Sequence, residues 1–147
     1  MLLPNWQKEE AVTEKDEYIK KQYGLEGKFI AIFGGNIGEP QKIDNIIDLA
    51  RTYQHNTQIV FLVIGRGAQK NYLEQMKTQH NLDNLIIKDT IPRSDYQKLV
   101  CSADIGLISL SEKFTIPNIP SKTLSYFNAK LPILAAIDAN TDYGKLL

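Results

Sequence analysis

Three glycines and a scatter of cationic and hydroxyl side chains stand where an anion could be held. The stretch "FGGNIGEPQ", residues 33 to 41, gathers Gly34, Gly35 and Gly38 between an apolar run and an amphipathic one. Glycine costs backbone entropy in an ordered structure, so the cluster needs a reason. Missing β-carbons let a ligand approach the main chain, and unpaired amide hydrogens at a helix start favour an anion. A tight strand-to-helix turn accounts for the same residues equally well, with Pro40 at the first helical position. Further on, Gly65-Arg66-Gly67 sets a permanent cation between two small residues. A guanidinium can grip phosphate oxygens in a planar, two-pronged way; a solvated surface arginine is the plain alternative. In "IPNIPSKTLSYF", residues 116 to 127, Pro117 and Pro120 stiffen the chain and Ser121 is placed to cap a helix. Lys122 and Ser125, three apart, then share one face of the first turn. An ammonium, a hydroxyl and free amides would converge there, although a solvated lysine on a capped helix is what this pattern gives by itself. Leu124 and Phe127 are expected to point into the core.

Other chemistries lack their residues. No Gly-Lys-Ser/Thr ending marks a phosphate-binding P-loop, and the first loop offers only Gly34-Gly35-Asn36-Ile37-Gly38 rather than Gly-x-Gly-x-x-Gly. The second apolar run ends "VIGRG", without the acidic residue that would hold a ribose, so NAD is not expected. No Gly-x-Ser-x-Gly elbow supplies a hydrolase nucleophile. His55 and His80 each follow a predicted helix without metal-spaced partners, and Cys101 reads as filler in an amphipathic helix. Asp89 ends the third apolar run, where response-regulator receivers carry a phosphoacceptor, but glycines and asparagine replace the acidic residues such receivers need after the first strand.

The elements that must position these residues alternate. "TEKDEYIKKQYG" predicts a short surface helix with Thr13 as N-cap and Gly24 as terminator. Apolar runs at residues 28–35, 58–65, 84–89, 104–110 and 132–137 predict five strands. Between them, 41–54, 68–80, 94–103 and 121–130 carry helical spacing, with Ser94 opening the third of these helices and Ser121 the fourth. Such alternation predicts an α/β fold: a Rossmann-like three-layer α/β/α arrangement on a parallel sheet of about five strands. In that architecture a ligand lies outside the carboxyl ends of the strands, where strand order reverses. The division expected is a lead-in segment with a short helix at 1–27 and a ligand-binding unit at 28–147. The ending "DANTDYGKLL" reads like a helix cut off as it begins, so truncation at the C-terminus is expected.

With 147 residues the chain has the size of one ordinary domain. Seventeen basic residues balance seventeen acidic ones, which leaves no global field to draw in nucleic acid or an anionic membrane. One cysteine cannot form an internal disulfide, and no apolar run reaches the roughly 18 to 20 residues of a membrane span. A soluble, cytoplasmic protein is expected.

Taken together the loops resemble the C-terminal, donor-binding domain of family 4 glycosyltransferases, retaining enzymes of the GT-B fold. The likeness is nearest to bacterial enzymes of surface-polysaccharide assembly (capsule, O-antigen), including fucosamine-type transferases. "LPNW" resembles the segment entering that domain, and "FIAIFGGNIGEPQKIDNIIDLA" its first strand, loop and helix. "FLVIGRGAQKNYLEQM", "DTIPRSDYQKLVCSADIGLISL" and "IPSKTLSYFNAKLPILA" follow in the family's order and spacing. The resemblance implies a donor site for a nucleotide-diphosphate sugar such as a UDP-sugar, working without metal or other cofactor; no Asp-x-Asp motif is present. It places the backbone around Gly35 and Asn36 at the diphosphate, Ile91 and Pro92 at the base, and Arg66 and Lys122 as counter-charges, with Gly34, Gln41, Asn118, Ser121 and Ser125 completing the donor site. Three departures stand out. Asn36 and Gln41 occupy positions where many members have arginine and lysine, and Pro117 and Ser125 stand where many have glutamates. The family's N-terminal acceptor domain, with any peripheral contact at the inner face of the membrane, is expected to lie outside these 147 residues. The fragment alone is therefore expected to be inactive. A non-catalytic nucleotide-sensing or partner-docking domain is the alternative.

Overall fold

The computed structural model describes residues 14–113 and 121–137. Its strands are β1 Phe29–Asn36, β2 Ile59–Arg66, β3 Leu85–Lys88, β4 Ile105–Ser109 and β5 Ile133–Ala136. Its helices are α1 Glu17–Gln22, α2 Asp44–Thr52, α3 Lys70–Gln79, α4 Arg93–Ser102 and α5 Lys122–Asn128. All neighbouring strands run parallel, in the order β3-β2-β1-β4-β5.

Alternation along β1 divides the core between two faces. Ile30 and Ile32 pack with Leu62, Ile64, Leu99 and Tyr126 on the side of α1, α4 and α5. Ala31 and Phe33 pack with Ile46, Ala50, Val63 and Leu73 on the side of α2 and α3. Successive side chains of a strand point to opposite faces, so one apolar run feeds both layers. This is the three-layer Rossmann-like arrangement expected from the sequence.

Strand order reverses at β1, and the two sides of that point differ. β1 and β2 pair over eight residues, from Phe29↔Ile59 to Asn36↔Arg66. β1 and β4 pair only at Ala31↔Ile105 and Ile32↔Gly106. Past Ile32 the strands part, and a crevice opens between the end of β1 and the start of α5. Tyr126 fixes α5 beneath it: its ring lies over Gly106, and its hydroxyl is 3.0 Å from the Ile32 carbonyl oxygen and 3.2 Å from that of Leu107. Removing that hydroxyl takes a shared donor away from two buried carbonyls. Tyr126→Phe is therefore expected to cost about 1–2 kcal/mol in chemical denaturation with an unchanged m-value.

Local differences from the sequence reading concern how elements begin. Thr13 lies outside the described residues, and Asp16 caps α1, its carboxylate accepting from the amides of Tyr18 and Ile19 at 3.0 and 3.2 Å. Pro40 does not open an α-helix. It sits in a 3-10 turn, Glu39–Gln41, and Lys42 then takes a left-handed conformation (φ 38°) before α2 starts at Asp44. α4 starts at Arg93 with Pro92 in the cap position, one residue before the Ser94 expected to open it. Ser121 precedes α5 but has helical dihedrals and makes no side-chain cap bond. Residues 1–13 of the lead-in segment, and the ending read as a truncated helix, lie outside the described residues.

Candidate functional site

A cavity of about 740 Å³ opens at the carboxyl ends of β1 and β2, walled by the start of α4 and by α5. Of the residues singled out in the sequence, Gly34, Gly35, Asn36, Arg66, Ile91, Ser121, Lys122 and Ser125 line it. Gln41 does not line it but reaches it through a hydrogen bond. Pro92 stands outside the lining at the head of α4, and Asn118, Pro117 and Pro120 lie outside the described residues.

Lys122 is the centre of the arrangement. Only 8 % of it is exposed, and its ammonium donates to Gln41 Oε1 at 3.2 Å and lies 3.5 Å from the centroid of the Phe33 ring. The side chain thus fills the crevice where β1 and β4 diverge. Among the described residues no carboxylate pairs with it. A buried ammonium without a counter-ion is costly, and burial pulls the Lys122 pKa down from 10.5 to about 7. An anion arriving in the cavity would supply the missing charge.

The glycines of the first loop have three separate reasons. A β-carbon on Gly34 would collide with the Tyr96 phenol, so that glycine makes room for a ring rather than for a ligand. A β-carbon on Gly38 would come 2.8 Å from the Asn36 amide nitrogen, so that one accommodates a neighbouring side chain. Gly35, at φ +112°, is open: a β-carbon there would meet only the Lys122 Cε at 3.9 Å. Both Gly34 and Gly35 belong to β1, which continues through them to Asn36.

The helix-start amides of this loop do not face the large cavity. Ile37 N–H donates to the Arg66 carbonyl at 2.8 Å, Gln41 and Lys42 close the 3-10 turn, and Ile46 and Ile47 both donate to Ile43. The beginning of α2 borders a second, smaller hollow with Lys42 and Glu112 instead. The 3-10 turn and the left-handed Lys42 precede α2, whose start borders the smaller hollow, so Gly35 and Lys122, not the α2 N-terminus, line the larger cavity.

Several lining residues carried no separate signal in the sequence. Leu124 was expected in the core but borders the cavity, while Phe127 is 44 % exposed; Thr123 and Tyr126 take the core positions of α5. The difference is a rotation of the short helix, set by Tyr126 seated over Gly106. Arg93 and Tyr96 on α4 add a cation and a phenol. Arg93 was in view as part of the loop block but indistinguishable from a surface arginine. Burial pushes the Tyr96 phenol up to about 12, so it stays protonated and can only donate or accept a hydrogen bond. His55 is exposed and His80 caps α3; no group of three potential metal ligands occurs among the described residues. Asp89 is exposed beyond β3, where its pairing with Lys70 holds its carboxyl below the usual range.

The parallel sheet, its reversal at β1 and the flanking helices form one half of a GT-B fold. The chain belongs to the "Glycosyl transferases group 1" family, whose model matches residues 14–134. It is 26 % identical over 154 aligned residues to a protein of Escherichia coli (strain K12) named as a colanic acid biosynthesis glycosyl transferase, WcaI, covering 99 % of this chain and 37 % of that one. It is 25 % identical to a Pseudomonas aeruginosa protein named as the glycosyltransferase WbjE, over 82 % of this chain and 30 % of that one. The chain thus spans about a third of the length of the curated relatives it matches. Among solved structures, the Anabaena protein HepE in complex with UDP and glucose superposes with a TM-score of 0.66 at 16 % identity, over 89 % of this chain and 35 % of that one. WaaG, a glycosyltransferase of lipopolysaccharide biosynthesis, superposes with a TM-score of 0.66 at 15 % identity, over 88 % of this chain and 34 % of that one.

Proposed function

We propose that this chain is the donor-binding part of a retaining glycosyltransferase, and that its cavity takes the diphosphate of a nucleotide sugar used in cell-surface polysaccharide assembly. The observation that carries the reading is Lys122: a buried ammonium with no carboxylate among the described residues, open toward Gly35 in a cavity that also holds Arg66 and Arg93. The names of its relatives, and the UDP bound in its structural neighbour, agree with that chemistry. As the bond between the sugar and the diphosphate breaks, negative charge grows on the departing oxygen. A fixed ammonium in a dry crevice stabilises that charge more than a solvated one does. Ile91 would bear on the base, and Ser121 and Ser125 would offer hydroxyls to the diphosphate or ribose.

On this reading no metal is needed to offset the charge, the acceptor is held by a further domain, and the reaction takes place in the cytoplasm, at the inner face of the membrane. No described helix is long and apolar enough to cross a membrane.

The test is calorimetric titration of the protein with UDP and UDP-glucose, with and without EDTA, across pH. The diphosphate of UDP-glucose does not titrate between pH 7 and 9, so the pH dependence belongs to the protein. Lys122 is charged below about pH 7 and neutral above it, and a diphosphate favours the charged form. Affinity is therefore expected to fall as pH rises, by up to about 50-fold from pH 7 to 9, with proton uptake on binding at pH 8. EDTA should change nothing. Absence of binding at pH 6.5 would overturn the reading.

A further inference from the structure

Two helices of one face each press a tyrosine onto a strand glycine. Tyr126 of α5 lies over Gly106, and Tyr96 of α4 lies over Gly34. The rings do similar work: each fills the space that a β-carbon would take. Their hydroxyls differ. Tyr126 is satisfied by the Ile32 and Leu107 carbonyls. Tyr96 makes no hydrogen bond among the described residues, and it lines the cavity beside Gly35, Lys122 and Ser125.

Packing alone does not account for that hydroxyl. The ring carbons Cε2 and Cζ already occupy the place of a Gly34 β-carbon, so the hydroxyl, nearer still, adds a polar group that no described residue satisfies at the cavity wall. An unpaired phenol in a ligand cavity is a hydrogen bond waiting for its partner. The partner's chemistry follows from what else faces the cavity. Lys122, Arg66 and Arg93 are cations, so the occupant there is anionic and rich in acceptors. The Tyr96 phenol keeps its proton, and phosphate oxygens only accept, so toward such an occupant it donates.

The geometry points to Tyr96 as a further ligand-binding residue, whose hydroxyl donates a hydrogen bond to a diphosphate oxygen of the bound nucleotide. This rests on the donor-site reading above and adds a neutral donor to its cations. It also gives Gly34 a function at one remove: the absent β-carbon lets the phenol settle at the rim of β1.

The experiment compares wild-type protein with Tyr96→Phe, titrating UDP, inorganic pyrophosphate and uridine, with thermal melting as a control on packing. Loss of one neutral donor to a charged acceptor is expected to weaken UDP and pyrophosphate about 5- to 20-fold. Uridine binding and the melting temperature should stay within error. Equal losses for uridine and UDP, or unchanged UDP affinity in the variant, would overturn the assignment while leaving the donor site intact. Failure of the wild-type protein to bind UDP or pyrophosphate would remove both.

Discussion

Lys122→Met is expected to stabilise the protein while removing most of its affinity for UDP. The two effects have one origin. The ammonium is buried against Phe33 with Gln41 as its one polar partner among the described residues, and burial drives its pKa to about 7. The folded state therefore binds this proton less readily than the unfolded chain, where the ordinary 10.5 applies. The unfolded state holds more protons between about pH 7 and 10.5, so the lysine's contribution to stability improves as pH rises through that window and is worst below it. Methionine fills nearly the same volume and keeps a favourable contact with the ring. A gain of about 1–3 kcal/mol at pH 6 is expected in chemical denaturation, shrinking toward pH 10. Against this, a charge-assisted contact to the diphosphate is lost, worth about 1.5–3 kcal/mol, or roughly 10- to 150-fold in Kd. A variant that is less stable than wild type at pH 6 and binds UDP equally well would show that Lys122 is structural.

Gly65→Ala should do the greatest damage to the fold. Gly65 pairs with Gly35 across β1 and β2, and a β-carbon placed on it would run into the Gly35 carbonyl oxygen. The obstacle is main chain near the carboxyl end of a parallel ladder, so no rotamer change relieves it. The strands must part, and the movement displaces Gly35 and Arg66 together. A loss of about 3 kcal/mol or more is expected, with nucleotide affinity falling in the protein that still folds. Gly35→Ala is the instructive comparison. Its β-carbon meets only the flexible Lys122 methylene, although its positive φ is unfavourable to any other residue. It should cost about 1–2 kcal/mol, with the damage concentrated in binding. If both variants denature at the wild-type midpoint, the close approach of these strands is wrong.

Which features could be read from the chain follows from what each depends on. The strands were legible because their burial is written into short runs such as "FIAIF" and "IVFLVIG", and the alternation with helices fixes the sheet as parallel. The convergence of Gly35, Arg66 and Lys122 on one rim followed from that topology alone. The rotation of α5 was not legible. Seven residues carry two plausible apolar pairs, Leu124 with Phe127 and Thr123 with Tyr126, and a contact 20 residues away at Gly106 decides between them. The burial of Lys122 escaped for a similar reason, because the gap it fills is created by the parting of β1 from β4, a property of three segments distant in sequence. Gly34 was noticed for the right composition and the wrong cause: the sequence shows that a side chain is missing, not which neighbour occupies its space.

The far rim of the sheet is organised around a different residue. Asp104, just ahead of β4, accepts the Ile30 amide at 2.8 Å, returns its own amide to the Ile30 carbonyl at 2.9 Å, and holds Lys15 at 2.6 Å. Ser102 Oγ meanwhile accepts the Asp16 amide. These clasps fasten the opening of β1 and the helix before it at the end of the strands most distant from the cavity. The clasp and the cavity thus lie at opposite ends of the same parallel strands. Side chains on α5 that face the cavity, such as Ser125, can therefore change without touching the clasp that holds the other end of the strands.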